Sequence, residues 1–194
     1  MKIGRKTIFR PPKKHNLLIV LVGRSGAGKN SFVKAMELED YQYEITGRIK
    51  RQLKEKGQSV NHETIQPIMH RLYGENPYWQ IPQILNELRE KGFLIVNGSR
   101  SFLEIEKLIK SCPLALVVEI RANALARRKR LGLRDGTSKL EFKKIESDEM
   151  KVTPLAKILQ DDFVDVVITN NGSLEALEKK AKNFALLLSS LKGV

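Results

Sequence analysis

Apolar residues follow two rhythms along this chain. Compact runs, LLIVLV at 17–22, FLIV at 93–96 and LALVVEI at 114–120, are rich in Ile, Val and Leu and end at Gly, Asn or charge. Such runs predict strands buried on both faces of a parallel sheet. YQYEI at 41–45 and VDVVIT at 164–169 predict two more strands. Between the strands, apolar positions recur every three or four residues. Phe32, Val33 and Met36 mark one helix, and residues 46–56 form a second, closed by Gly57. Ile65, Met69 and Leu72 mark a third that stops near Gly74. Pro77 opens a fourth, carried by Ile81, Ile84, Leu85 and Leu88 with Pro82 in its first turn, and Gly92 ends it. Residues 101–111 and 173–191 complete the set, the last capped by Ser173. Alternating strands and helices predict an α/β fold, a three-layer α/β/α sandwich on a five-stranded, largely parallel sheet.

Composition narrows this picture only a little. The 194 residues suit one domain at 17–194, preceded by a basic arm at 1–16 that carries Pro11-Pro12. Hydrophobic residues make up 41% and charged residues 29%, an ordinary globular balance. No apolar run reaches bilayer length and the basic N-terminus lacks an h-region, so the expectation is a cytoplasmic protein without membrane contact. Cys112 is the single cysteine, which excludes an intramolecular disulfide and suggests no thiolate metal site. It reads as a small, partly buried apolar residue. His15, His62 and His70 show no ligand spacing. The formal charge of +13 suits polyanionic partners such as nucleotides or RNA, and equally suits plain solubility.

GRSGAGKN at 23–30 follows the first apolar run directly and leads into a helix. It matches the phosphate-binding pattern G-x-x-x-x-G-K-[ST] except at Asn30. Gly23, Gly26 and Gly28 let the backbone turn tightly and approach phosphate oxygens. The helix starting near Lys29 adds the positive end of its dipole, and Lys29 reaches the β- and γ-phosphates as a point charge. A strand before and a helix after are the context that makes the match specific. Gly23, Arg24, Ser25, Gly26, Ala27, Gly28, Lys29, Asn30 and Ser31 are therefore the candidate nucleotide-binding segment.

The last motif position normally supplies a hydroxyl to Mg²⁺. The amide carbonyl of Asn30 is a hard oxygen that can replace it, whereas Ser31 points about 100° away. The carboxylate that holds the ion from a neighbouring strand end is replaced by Asn97. Both expected metal positions thus carry amides, leaving the phosphates to bring Mg²⁺ in through its bound water.

Three further segments carry a resemblance. TGRIKR at 46–51 resembles the T-G-x-x-x-R helix start of nucleoside monophosphate kinases. NGSR at 97–100 is similar to their D-G-x-x-R or D-G-x-R segment. NNGSLEALEKK at 170–180 resembles the N-x-G-S-L-E-E-L segment of dephospho-CoA kinases. Together, residues 17–189 resemble the P-loop nucleoside monophosphate kinase-like family, closest to its archaeal dephospho-CoA kinase-like and adenylate kinase-related members. The resemblance implies an acceptor-binding insert at about 46–91 and an arginine-bearing lid at about 126–149. It implies that Thr46, Gly47 and Arg51 line the acceptor site, with Arg51 on the acceptor's phosphate and Arg100 joining them. It places Arg128 and Arg134 on the transferring phosphoryl group, and Asn171, Gly172 and Ser173 near the donor base. ATP or GTP with Mg²⁺ would be the donor. The sequence departs from the family at Arg48, where an acid is common, and at Asn97.

Two acceptors compete within this reading. A nucleoside or deoxynucleoside monophosphate already presents an anion, whereas the ribose hydroxyl of dephospho-CoA wants a general base, and Asn97 is not one. That favours the phosphate acceptor. A different class also fits: a nucleotide-binding module with weak or no catalysis, using its basic surface on RNA or a protein. Arg127, Arg128 and Arg130 read equally as a solvated helix face. Asp148 and Glu149 read as partners for lid arginines when the lid is open. Trp79 reads as core rather than as a stacking platform, with Tyr78 beside it. No feature sets an oligomeric state.

Overall fold

A computed structural model describes residues 16–99, 101–151, 158–159 and 163–190. The basic arm up to residue 15, and Arg100, lie outside the described residues. Five strands, β1 Leu17–Val22, β2 Gln42–Glu44, β3 Phe93–Asn97, β4 Leu114–Arg121 and β5 Val166–Thr169, form one sheet ordered β2-β3-β1-β4-β5. Every pairing is parallel. Eight α-helices stand among the described residues: α1 Lys29–Ala35, α2 Gly47–Glu55, α3 His62–Glu75, α4 Ile81–Lys91, α5 Phe102–Ser111, α6 Ala124–Asp135, α7 Lys139–Lys151 and α8 Leu174–Ser190.

The period of a strand explains why two cores form. Leu17, Ile19 and Leu21 of β1 face one side, against Phe32 and Val33 of α1 and Leu177, Ala181 and Phe184 of α8. Leu18, Val20 and Val22 face the other, against Ile49 of α2, Met69 of α3, Ile84 and Leu88 of α4, and Leu108 of α5. Burial on both faces is what permits β1 and β3 to be apolar nearly throughout. The expected α/β sandwich is the observed one. Cys112 is buried in the second core, and burial pushes its thiol up from the ordinary value.

Element boundaries differ from the expected ones in three places. A 3-10 turn at Glu39–Tyr41 takes Tyr41, so β2 is only three residues long and pairs with β3 alone. The fourth helix begins at Ile81 rather than Pro77, because residues 77–80 form turns closed by Ile81 N–H on Tyr78 O (3.0 Å). β5 begins at Val166, since Asp165 spends its carboxylate on Val117 N–H (2.7 Å).

Local caps fix the insert helices. Asn61 Oδ1 accepts from Thr64 N–H (2.9 Å), and Thr64 Oγ1 accepts from Asn61 N–H (3.1 Å). Asn61→Ala is expected to cost about 1 kcal/mol, read as a lowered urea midpoint. No helix among the described residues is long and apolar enough to cross a membrane.

The strand register sets up the site. Leu21 of β1 and Glu44 of β2 both stand opposite Asn97 of β3, so three strands end level at their carboxyl edge. In open α/β sheets that edge is where ligands bind.

Candidate active site

The turn after β1 is held by glycines and by one distant amide. Gly23, Gly26 and Gly28 all have positive φ. A Cβ on Gly23 would stand 2.4 Å from Ile120 O, and one on Gly28 would stand 2.4 Å from Asn170 Nδ2. Ala27 N–H closes the turn on Arg24 O (3.1 Å). Asn170, at the end of β5, donates its Nδ2 to Ala27 O (2.8 Å) and holds that carbonyl in place. The N–H groups of Gly26, Gly28, Asn30 and Ser31 make no hydrogen bond to other described residues. All four residues line a cleft of about 560 Å³. Lys29 lines it too, with Nζ donating to Gly23 O (2.6 Å) and Arg24 O (3.3 Å).

Beside the turn, Asn97 Nδ2 donates to Asn30 Oδ1 (2.7 Å). The two residues expected to serve a metal thus bond each other. Asn97 is 2% exposed, and its Oδ1 is enclosed with no hydrogen-bond partner. A hydrated Mg²⁺ needs accessible oxygens, preferably anionic ones. Here one amide oxygen is walled off and the other, neutral and already accepting an N–H, opposes a cation with that dipole, so the Asn30–Asn97 pair does not fit the hydroxyl-and-carboxylate role at a divalent ion. No group of three His, Cys, Asp or Glu side chains converges anywhere among the described residues.

Glu44, Thr46, Lys50 and Gly98, at the ends of β2 and β3 and the start of α2, also line the cleft. Lys50 Nζ forms a short ion pair with Glu44 Oε1. Gln80 Nε2 donates to Ile45 O (3.0 Å) and fixes the turn that presents Thr46. Gly47 and Arg51 do not line the cleft, and Arg51 is exposed on α2. Lys50 occupies the cleft-facing position because one step along a helix turns a side chain by about 100°.

Helix α6 and the segment after β5 supply further lining. Arg130 of α6 donates to Asn170 Oδ1 (3.2 Å), Gly172 O (3.2 Å) and Gly26 O (3.5 Å). Arg134 also lines the cleft and pairs with Asp135 at 2.7 and 2.5 Å. Arg128 is exposed and lies outside the cleft lining. Gly172 and Ser173 line the cleft, whereas Asn171 and Arg24 face a neighbouring hollow. There Asn171 Oδ1 accepts from Asn123 N–H (2.8 Å). Helix α7 docks on the phosphate loop through acids. Glu146 takes Arg127 (2.6 Å) and Arg24 (3.5 Å), and Glu149 Oε1 accepts both the N–H (2.9 Å) and the hydroxyl (2.6 Å) of Ser25. The arginine contact foreseen for Asp148 is therefore made by Glu146. Trp79 packs edge-on to Tyr73 at 6.4 Å, and neither Trp79 nor Tyr78 lines the cleft.

No protein-family model matches this chain, nor does any curated protein sequence. Solved structures do match, over almost the whole chain. TT1252 from Thermus thermophilus is 20% identical with a TM-score of 0.53, covering 93% of this chain and 100% of that one. A gluconokinase from Sinorhizobium meliloti is 17% identical with a TM-score of 0.53, covering 92% and 97%. The shikimate kinase of Acinetobacter baumannii, solved in complex with shikimate, is 18% identical with a TM-score of 0.52, covering 92% and 96%. The likeness is one of fold: a five-stranded parallel sheet flanked by helices, shared with these solved kinases. In this fold the glycine turn after β1, the Glu44–Lys50 pair and Arg130 and Arg134 of α6 line one cleft. The nearer likeness to dephospho-CoA kinases rests on sequence motifs alone.

Sequence reading gave no role to three of the residues that build this site, Glu44, Lys50 and Asn170, and it expected Glu149 on an arginine rather than on Ser25. An acid near the end of the second predicted strand, two residues before the TGRIKR segment, was the available signal for Glu44. For Asn170 it was an amide ending the last strand. Arg130 was visible only as one member of a charged run.

Proposed function

We propose that this chain is an ATP- or GTP-dependent phosphotransferase acting on a small, nucleotide-like anionic acceptor. The observation that carries the reading is the cleft itself. Four backbone N–H groups without a partner among the described residues, Lys29 and the Glu44–Lys50 pair all line it. Backbone donors and Lys29 seat the donor's β- and γ-phosphates. Arg130 and Arg134 neutralise charge that spreads over the transferring group in the transition state. Leu133 and Leu174, both exposed on the cleft wall, offer apolar surface to the donor base.

Glu44 bears on the acceptor. A phosphate acceptor has no proton to lose, whereas a hydroxyl does, and a carboxylate at the strand end can take it. In the transfer, the acceptor oxygen bonds to the γ-phosphorus, the bond to the β-bridging oxygen breaks, ADP or GDP leaves, and Glu44 takes the proton. Glu44 therefore weighs toward a hydroxyl acceptor of the dephospho-CoA kind over a nucleoside monophosphate, reversing the preference drawn from Asn97.

Transfer from γ-labelled ATP to dephospho-CoA, other hydroxyl acceptors and a panel of nucleoside monophosphates tests this. Label on a hydroxyl supports the reading, and label on a monophosphate restores the phosphate acceptor. No label anywhere, with RNA binding that falls steeply with salt, leaves the binding-module alternative. Arg130→Ala is expected to weaken nucleotide binding about tenfold by calorimetry, the loss of charge-assisted hydrogen bonds to a phosphate.

A further inference from the structure

We infer that this cleft takes its nucleotide as the metal-free polyphosphate, with protein cations doing the neutralising that Mg²⁺ does in most P-loop proteins. The inference rests on the nucleotide-site reading above and adds the chemical species that the site selects.

Three observations converge on it. The Asn30–Asn97 hydrogen bond fills the position between strand end and phosphate loop where a hydroxyl and a carboxylate would otherwise flank an ion. An ion brought to Asn30 Oδ1 would meet the N–H dipole of Asn97 aimed at the same oxygen. The other oxygen of the pair, Asn97 Oδ1, is sealed from solvent. Last, among the described residues four cationic side chains, Lys29, Lys50, Arg130 and Arg134, line the cleft with one carboxylate, Glu44, which Lys50 already holds; Glu149 bonds Ser25 from outside the lining. Arg134 shares its charge with Asp135, outside the lining.

A cleft of that balance repels a divalent cation and attracts the more highly charged ligand. Metal-free ATP carries two more negative charges than its Mg²⁺ complex. The same balance, with a hydroxyl and an acid at positions 30 and 97, would accommodate the complex. Asn30 and Asn97 are thus specificity-determining positions for the ionic form of the nucleotide.

Calorimetric titration of the full chain with ATP, once in EDTA and once in excess Mg²⁺, decides the matter. The expected result is binding in EDTA that is equal to, or several-fold tighter than, binding in Mg²⁺. Binding weakened tenfold or more by EDTA overturns the inference while leaving the nucleotide site standing. Absence of ATP binding in both buffers overturns the nucleotide-site reading, and the inference falls with it. The double variant Asn30→Ser, Asn97→Asp is expected to acquire a Mg²⁺ requirement, its affinity in EDTA falling at least tenfold below that in Mg²⁺. A double variant that binds ATP equally in both buffers removes the amide pair as the determinant. The wild-type titrations stand without it should the variant fold poorly.

Discussion

Glu44→Gln retains nucleotide binding, no weaker than in the wild type, and lowers phosphoryl transfer by roughly 10²–10⁴-fold, the usual contribution of a positioned general base. The substitution keeps the side chain's length and its acceptor oxygen toward Lys50, so the turn into α2 is preserved. What it removes is the ability to take a proton from an acceptor hydroxyl. The loss falls on kcat rather than on KM, because the proton moves only as the new bond forms. Steady-state kinetics with the acceptor found in the label-transfer panel provide the check. An unchanged kcat means that the acceptor needs no deprotonation at Glu44, and the phosphate-acceptor reading then regains its place.

Glu104→Gln stabilises the protein by about 3 kcal/mol at pH 8 and has little effect at pH 4. Glu104 of α5 is fully buried. Its Oε2 accepts from Tyr73 OH at 2.9 Å and from the Ser99 hydroxyl, while Oε1 is enclosed without a partner. Burial raises the carboxyl from 4.5 to about 7, and the two hydroxyl donors only partly oppose that rise. The folded state therefore holds this proton more tightly than the unfolded chain does. Its contribution to stability is complete below pH 4.5 and is lost as pH climbs through about 7. Glutamine stays neutral throughout and escapes the loss. Urea midpoints at pH 4, 6 and 8 should fall for the wild type relative to the variant. Parallel curves across that range would mean that Glu104 does not titrate there.

The parts of this fold legible in sequence are those where one residue type is physically required. β1 and β3 are apolar nearly throughout because both faces are covered, so a bare run of Ile, Leu and Val revealed them. Gly23 and Gly28 stand where a Cβ would strike Ile120 O or Asn170, so the glycine turn after β1 was legible. Legibility failed where geometry, not residue type, decides. β2 is a three-residue edge strand, which left Glu44 without a periodic signal. The T-G-x-x-x-R pattern drew attention to Arg51, while helix rotation turned Lys50 to the cleft. In the run at 127–130 three arginines look alike, yet one is buried under α7, one is exposed and one reaches the phosphate loop. The Asn30–Asn97 bond spans 67 residues and follows from parallel register, which no local pattern encodes. Glu104 read as one polar position on an amphipathic helix; its burial needs Tyr73 from α3 above it.

The clasp between Asn170 and Ala27 has a consequence for synthesis. The two residues are 143 positions apart, so a chain emerging from the ribosome makes its phosphate loop early and receives the amide that braces it only near the end. Contacts that close so long a loop come late in folding. Nascent chains that stop before β5 carry the glycine motif without its brace, and ligand capture should begin only once the last strand has docked on β4.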